Sequence, residues 1–537
     1  MFSLVLTGGR VVDGSGKPAF DADVAIDGAS IAAVVPRAVP GQPARGAGPL
    51  QGRETLDCSG HVVAPGFIDT HSHSDLKVLA DPTLPMKLRQ GITLEVFGQD
   101  GISVAPVKAD ERAAWKQKLA GLLGDFGIDW TWSSVAQYLD AVAAARPAQD
   151  AAYVVPHGAV RQHVMGGGAQ RPTGAQTQAM QELLRAGLDE GACGMSTGLI
   201  YPPCCYADTA ELIALGRVLA QARRPLVVHM RSESDRMLEA TAEMLHVARE
   251  SGCAVHISHL KLAGRRNWGK AEAVVEAVDA ARAEGLRITA DQYPYIAGST
   301  LLGAILPPWA HDGGGEATLA RLRDPAARSR LRAALSDPGP ADWDNFWGWS
   351  GPEGILVADV PSGRHPEWLG KTVADVAKDR GQDPIDAAFD LLLEERLGVA
   401  MVSFSQDEAV VERFLVLPWA NVCTDGLLGG RPHPRAYGTY PRVLGRYVRE
   451  KGTLALEEAV RKMTSQAAEA MGFEGIGLVR EGFRADLVVF DAATVADRAT
   501  FAEPLQFPAG VRDVIVGGAL AVRGGAVTGA RAGKIVK

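Results

Sequence analysis

Cysteine is scarce in this chain, six residues in 537, and none of them stands in a C-x-x-C pair. Such sparse, unpaired thiols exclude a zinc ribbon and a disulfide framework, and a reducing, cytoplasmic setting is expected. Nowhere do ~18 apolar residues run uninterrupted, which excludes a membrane-spanning helix. Met1 to Thr7 lacks the basic opening of a secretory signal, and its apolar run stops within a few residues, so it reads as a strand. Blocks of like charge are also missing. Lys plus Arg number 55 against 63 Asp plus Glu, a net charge of −8, which argues against nucleic acid as a partner. What is present is globular: 47% hydrophobic and 22% charged residues exclude wholesale disorder. The length implies several domains, or one large α/β barrel with additions.

Residues 4–36 alternate apolar and polar positions between turns at Gly8-Gly9, Asp13-Gly14 and Asp27-Gly28, the pattern of short antiparallel strands. Pro40 to Arg53 has no period and reads as an exposed loop. From about residue 60, short β-branched runs alternate with alanine-rich helical stretches, the texture of βα units around a parallel sheet. The runs are Val62–Ile68, Leu94–Phe97, Ala152–Val155, Pro225–Val228, Ala254–Ile257, Ile288–Ala290 and Ala420–Cys423. Helices are expected between them, for example over Thr209–Gln221 and Ala271–Glu284. That number of runs is close to an eight-stranded barrel.

Gly298 to Pro352 breaks the rhythm with Pro307-Pro308, three glycines at 313–315 and Trp309, Trp343, Trp347 and Trp349. It reads as an insertion over the barrel mouth, whose aromatics either cover a bound apolar group or form the insertion's own small core. Residues 475–537 return to short strands. The expected architecture is therefore an α/β, TIM-like (β/α)8 barrel over residues 66–474 and a small β-sandwich module made from 1–65 and 475–537.

His71 and His73 stand two apart after Phe67-Ile68-Asp69-Thr70, and period-two alternation puts both imidazoles on one face of a strand end, where they can chelate one metal. His229 and His259 end two further runs and Asp425 ends another. In a parallel barrel all strand C-termini point to one rim, so four histidines and an aspartate converge there. The other histidines lack this placement. His256 points to the opposite face from His259 and reads as structural; His157 ends an apolar run and reads as a supporting residue outside the ligand set.

Gly66-Phe67-Ile68-Asp69-Thr70-His71-Ser72-His73 resembles the metal signature of the amidohydrolase superfamily. Ser196–Pro203, His256–Lys261, Asp291–Tyr295 and His433–Arg442 narrow the resemblance to the D-aminoacylase (N-acyl-D-amino-acid deacylase) family, over essentially the whole chain. The resemblance implies a TIM-like barrel, a β-module from both chain ends and an insertion covering the site. It puts histidine ligands on His71, His73, His229 and His259, the catalytic aspartate on Asp425, and contacts to the substrate carboxylate on Tyr201, Lys261 and Arg435. One position departs from the family. Where D-aminoacylases carry a metal-binding cysteine in a G-N-C-G turn, this sequence reads Gly98-Gln99-Asp100-Gly101. Asp100 then supplies a harder oxygen ligand, with Glu95 of the same strand as the alternative, and the site takes one or two ions, zinc or another metal.

These readings imply hydrolysis of an N-acyl-D-amino acid, a small-molecule substrate, by metal-activated water with Asp425 as general base and acid. Two rival readings are an amidohydrolase for another C–N bond, such as a cyclic amide or unusual dipeptide, and a metal-binding barrel without turnover.

Overall fold

The computed structural model describes residues 1–37, 50–337 and 339–537. Eight parallel strands form the central barrel: β1 (Phe67–Asp69), β2 (Ile92–Phe97), β3 (Asp150–Tyr153, continued by Val155–Pro156), β4 (Met195–Gly198), β5 (Pro225–His229), β6 (Ala254–Ile257), β7 (Ile288–Gln292) and β8 (Ala420–Val422). A parallel bridge between Ser72 and Gly426, with the Asp425 amide donating to the His71 carbonyl at 2.9 Å, closes β8 onto β1. Every residue of β2, β3, β4 and β5 is buried, as expected of strands covered on both faces.

β4 does not coincide with any of the apolar runs of the sequence. Its Met195-Ser196-Thr197-Gly198 is short and polar, so its strand character comes from pairing with β3 and β5 rather than from composition. Val62–Ile68 is not one strand. Val62–Pro65 belongs to the terminal sheet, and β1 begins only after Gly66, whose amide donates to Asp486 O at 2.8 Å. Pro65 has no N–H to continue a ladder, so the chain changes sheets there.

The helices between the strands follow their sequence signals. Thr209–Ala222 starts at Asp208, whose side chain accepts from the Glu211 amide at 3.0 Å, and buries Leu212, Leu215 and Leu219 at helical spacing. Ala271–Ala283 buries Val274, Val275 and Val278 in the same way.

A nine-stranded sheet joins the two chain ends. Phe2–Val11 pairs antiparallel with Phe20–Asp27, and parallel with Gly52–Asp57 and Val62–Pro65; the last of these pairs antiparallel with Leu487–Phe490. Gly52–Asp57 thus overlaps the expected loop, most of which lies outside the described residues. Alternation divides the sheet's two faces: Leu487 and Val489 pack with Leu4, Leu6 and Ile26, whereas Val488 and Phe490 pack with Tyr440, Val443 and Met463.

Between β7 and β8 the chain leaves the barrel for a unit larger than the 298–352 segment expected from sequence. Strands Ala297–Leu301, Ile355–Asp359 and Ala400–Phe404 form an antiparallel sheet, and helices through Pro384–Glu394 pack on it. Its middle strand is the last in sequence, so the sheet cannot form without the chain beyond residue 352. Leu322, Leu331, Trp347, Trp368 and Phe389 make its own core. Trp347 therefore serves that core, while Trp343 and Phe346 face a cavity of about 500 Å³ between the insertion and the barrel mouth.

Candidate metal centre

His71 and His73 follow β1, and Asp100 follows β2 in the turn Gln99–Gly101. His229 ends β5, His259 lies just beyond β6, and Asp425 follows β8. Donor atoms of His71, His73, Asp100 and Asp425 all lie within 4.8 Å of one another, as do those of Asp100, His229 and His259. Asp100 is common to both groups. Its Oδ1 stands 3.6 Å from His71 Nε2, 3.7 Å from His229 Nδ1 and 3.5 Å from His259 Nε2, and its Oδ2 3.5 Å from His73 Nε2. Asp425 Oδ1 is 3.3 Å from His73 Nε2 and 3.6 Å from His71 Nε2.

This donor set fits a divalent cation. Both ring nitrogens of His71 and of His73, together with Asp100 Oδ1 and His229 Nε2, are buried without a hydrogen-bond partner. Buried polar atoms normally find partners, and three of these orphans, His71 Nε2, His73 Nε2 and Asp100 Oδ1, face one another as donors that a metal would satisfy. Mixed imidazole and carboxylate donors suit zinc and other first-row ions.

The backbone is forced to deliver these groups. Asp100, His259 and Asp425 have φ of 57°, 36° and 48°, a left-handed region that costs non-glycine residues energy and concentrates at functional sites. Gly101 and Gly198 let the Asp100 turn lie against β4: a Cβ on Gly198 would stand 2.3 Å from Asp100 O, and one on Gly101 2.7 Å from Cys204 Sγ. The turn is tied by Gln99 Nε2 donating to Thr70 O at 2.9 Å and the Gly101 amide donating to Ser196 Oγ at 3.0 Å.

Glu95 is engaged elsewhere. Its Oε2 accepts from Ser74 Oγ at 2.8 Å and pairs with Lys87 Nζ at 2.9 Å, and Lys87 also holds Asp69 at 2.8 Å and Thr424 Oγ1 at 2.8 Å. This buried network ties β1, β2 and β8 together beneath the donors. His157 stays apart from them, bonded to Thr197 Oγ1 at 2.9 Å and Glu211 Oε1 at 2.8 Å. His256 lies one layer down and pairs with Asp291 Oδ2 at 2.9 Å; Asp291 also accepts from the His259 amide at 2.5 Å and from Thr70 Oγ1 at 2.8 Å.

The residues expected to meet a carboxylate are spread around the rim. Arg435, fully buried, places Nη1 2.8 Å from Asp425 Oδ2, and its Nη2 donates to Ser299 O at 2.9 Å. Burial pushes the Asp425 carboxyl up, but Arg435 and the neighbouring histidines outweigh it and hold the group well below the usual carboxylate range. The Tyr201 hydroxyl pairs with Thr300 Oγ1 at 2.7 Å, and its ring lies edge-on to His229 with centroids 5.1 Å apart. Lys261 donates to Glu233 Oε1 at 2.6 Å.

Glu233 is a site residue that sequence reasoning missed. Its Oε1 lies 2.9 Å from His259 Nδ1 and its Oε2 3.4 Å from His229 Nε2. Burial works against its charge, but His229, Lys261 and His259 hold its carboxyl down at about 2. The available signal was a glutamate four residues after a strand-end histidine, in His229-Met230-Arg231-Ser232-Glu233.

A model of the amidohydrolase family matches residues 54–522, spanning the barrel, the insertion and part of the terminal sheet. The chain belongs to the amidohydrolase family. Within it, this amidohydrolase groups with the N-acyl-D-amino-acid deacylases. It is 37% identical to an N-acyl-D-glutamate deacylase of Alcaligenes xylosoxydans xylosoxydans, over 96% of this chain and 92% of that protein. It is 34% identical to a D-aminoacylase of the same organism, over 100% and 97%. A solved structure of N-acyl-D-glutamate deacylase from Bordetella bronchiseptica, complexed with zinc and a phosphonate mimic of the tetrahedral intermediate, superposes with a TM-score of 0.82 at 34% identity, covering 100% of this chain and 99% of that one. These likenesses bear out the TIM-like fold with its β-rich unit. No helix among the described residues is long and apolar enough to cross a membrane.

Proposed function

We propose that this protein is a metal-dependent hydrolase of N-acyl-D-amino acids, releasing a carboxylate and a free D-amino acid. The convergence of His71, His73, Asp100, His229 and His259 beside Asp425 carries this reading, and the kinship with named N-acyl-D-amino-acid deacylases supplies the substrate class. Zinc, one ion or two, is the metal we assign; His71, His73, Asp100, His229 and His259 would hold it, and once bound it would provide Lewis acidity, which acidifies water and polarises a carbonyl.

The chain's own residues supply the rest. Asp425 takes a proton from the attacking water and returns it to the amide nitrogen, which must be protonated before it leaves. The Arg435 guanidinium and the Lys261 ammonium hold the substrate carboxylate, with the Tyr201 hydroxyl nearby. Glu233 fixes His259 and Lys261 in register, as a carboxylate behind a metal-binding histidine does. The cavity walled by Leu199, Ile200, Leu301, Trp343 and Phe346 leaves room for the acyl group and the amino-acid side chain. We take 1–65 with 475–537 as the β-rich module and 66–474 as the catalytic unit, because the sheet change at Pro65 separates them. The six free cysteines favour a cytoplasmic location.

The test is hydrolysis of matched N-acetyl-D- and N-acetyl-L-amino acids by protein of measured metal content, with Asp425→Asn alongside. Turnover of the D series only, lost in the variant with metal retained, is the expected result. Metal-loaded protein that turns over neither series would overturn the reading and move the search to cyclic amides and unusual dipeptides.

A further inference from the structure

The insertion touches the site at its root through Ser299 and Thr300, and at a distant point through Asp344. Asp344 sits in the loop between helices Pro325–Ser336 and Phe346–Ser350, is 4% exposed, and points away from its own unit into the barrel rim. Its Oδ1 accepts from Ser232 Oγ at 2.7 Å and Ser234 Oγ at 2.6 Å, and its Oδ2 accepts from the Glu233 amide at 2.9 Å. All three donors are neutral. Burial pushes the carboxyl up to about 6, a cost that three converging donors partly offset.

The loop it grips is the one that follows β5 and carries Glu233. The Glu233 carbonyl is held from the other side by the Ala263 amide at 2.8 Å, so with Asp344 in place both ends of that residue's backbone are clamped. The side chain between the clamps reaches His259 and Lys261. Next to it, the Ala341 amide of the insertion donates to Asp235 Oδ2 at 3.1 Å, which makes residues 341–344 a continuous seam. The same stretch forms part of the cavity wall through Trp343.

We propose that Asp344 is a positioning residue: by binding Ser232, Glu233 and Ser234 it fastens the insertion to the loop after β5, so that Glu233 is set against His259 and Lys261 only when the insertion is seated. The catalytic consequence rests on the hydrolase reading above, whereas the seating does not. The metal donors all stand on barrel strand ends, so losing the fastening disturbs the carboxylate-binding Lys261 and the cavity wall more than it disturbs the metal.

The experiment compares Asp344→Ala, Asp344→Asn and Ser234→Ala with the unmodified full chain in two assays. Hydrogen exchange followed by mass spectrometry reads residues 232–236 and 341–350 without substrate, and steady-state kinetics on an N-acetyl-D-amino acid reads KM against kcat. For Asp344→Ala assayed with zinc in excess, exchange in both segments should accelerate about tenfold or more, and KM should rise about tenfold with kcat within about threefold. Ser234→Ala, which removes one donor and leaves the amide bond, should move both readouts the same way by a smaller factor; it carries the test if the alanine variant at 344 does not fold. Unchanged exchange in residues 232–236 would overturn the fastening. Faster exchange with unchanged KM would overturn its role in the site. Failure of the unmodified protein to hydrolyse any N-acyl-D-amino acid would sink the hydrolase reading and with it the kinetic claim, while the exchange data would still decide the fastening.

Discussion

Asp100 is the one residue common to both donor groups, so Asp100→Ala should harm metal binding more than loss of any single histidine does. The substitution leaves His71, His73 and Asp425 on one side and only His229 and His259 on the other, and it removes the anion that faces four imidazoles at 3.5 to 3.7 Å. Disturbing a residue that merely orients a metal ligand costs about 10–100-fold in affinity. Losing a ligand shared by two groups should cost at least the upper end, about 100-fold or roughly 2.8 kcal/mol. The assay is zinc content at equilibrium against a graded chelator buffer, with circular dichroism to confirm folding. Asp100→Cys is the informative companion. A thiolate is softer, and its sulfur can meet two ions as a carboxylate can, so zinc should bind at least as tightly in this variant as in the unmodified protein. Full zinc stoichiometry and unchanged affinity in Asp100→Ala would refute the assignment of Asp100 as the shared ligand.

Three other perturbations separate chemistry from scaffolding. Glu95→Gln should leave zinc affinity unchanged but destabilise the fold by about 1–3 kcal/mol in denaturant titration, because it removes one charged partner from the buried network around Lys87, which keeps its pair with Asp69. Arg435→Lys keeps the charge but cannot span Asp425 and Ser299 O while also meeting a substrate, so KM for N-acetyl-D-amino acids should rise about 10–100-fold, and by a larger factor than for an analogue lacking the carboxylate. Asp486 shares Arg484 with Asp150, and burial together with the Asp150 charge holds its carboxyl well above the usual range. The folded state therefore keeps a proton that the unfolded chain loses near pH ~4, and this group's contribution to stability falls as pH rises from there toward neutrality. Asp486→Asn does not titrate, so its stability relative to the unmodified protein should rise over that window in urea titrations at stepped pH.

Legibility in the sequence followed the range of the interactions. His71, His73, His229, His259 and Asp425 could be placed because each ends an apolar run, and a parallel barrel gathers strand ends on one rim. Asp100 could be placed only through the family resemblance, since nothing in Gly98-Gln99-Asp100-Gly101 by itself distinguishes a ligand from a turn residue. β4 escaped because its Ser196 and Thr197 are buried polar residues: Ser196 Oγ satisfies the Gly101 amide and Thr197 Oγ1 satisfies His157, and no periodicity rule rewards such positions. The insertion's true extent escaped because its central strand is the last of its three in sequence.

Lys87, Glu233 and Asp344 were illegible for a related reason. Each is a charged residue that local patterning assigns to solvent, yet each is buried with partners far along the chain: Lys87 meets Thr424, and Asp344 meets Glu233. Burying a charge costs several kcal/mol unless converging partners offset it, and convergence is a property of the assembled fold rather than of a window of residues. The ligands sit where the fold class alone sends them. What holds them there is a set of long-range charge contacts, and the predictions for Glu95, Arg435 and Asp344 are directed at those contacts because sequence patterning leaves them unassigned.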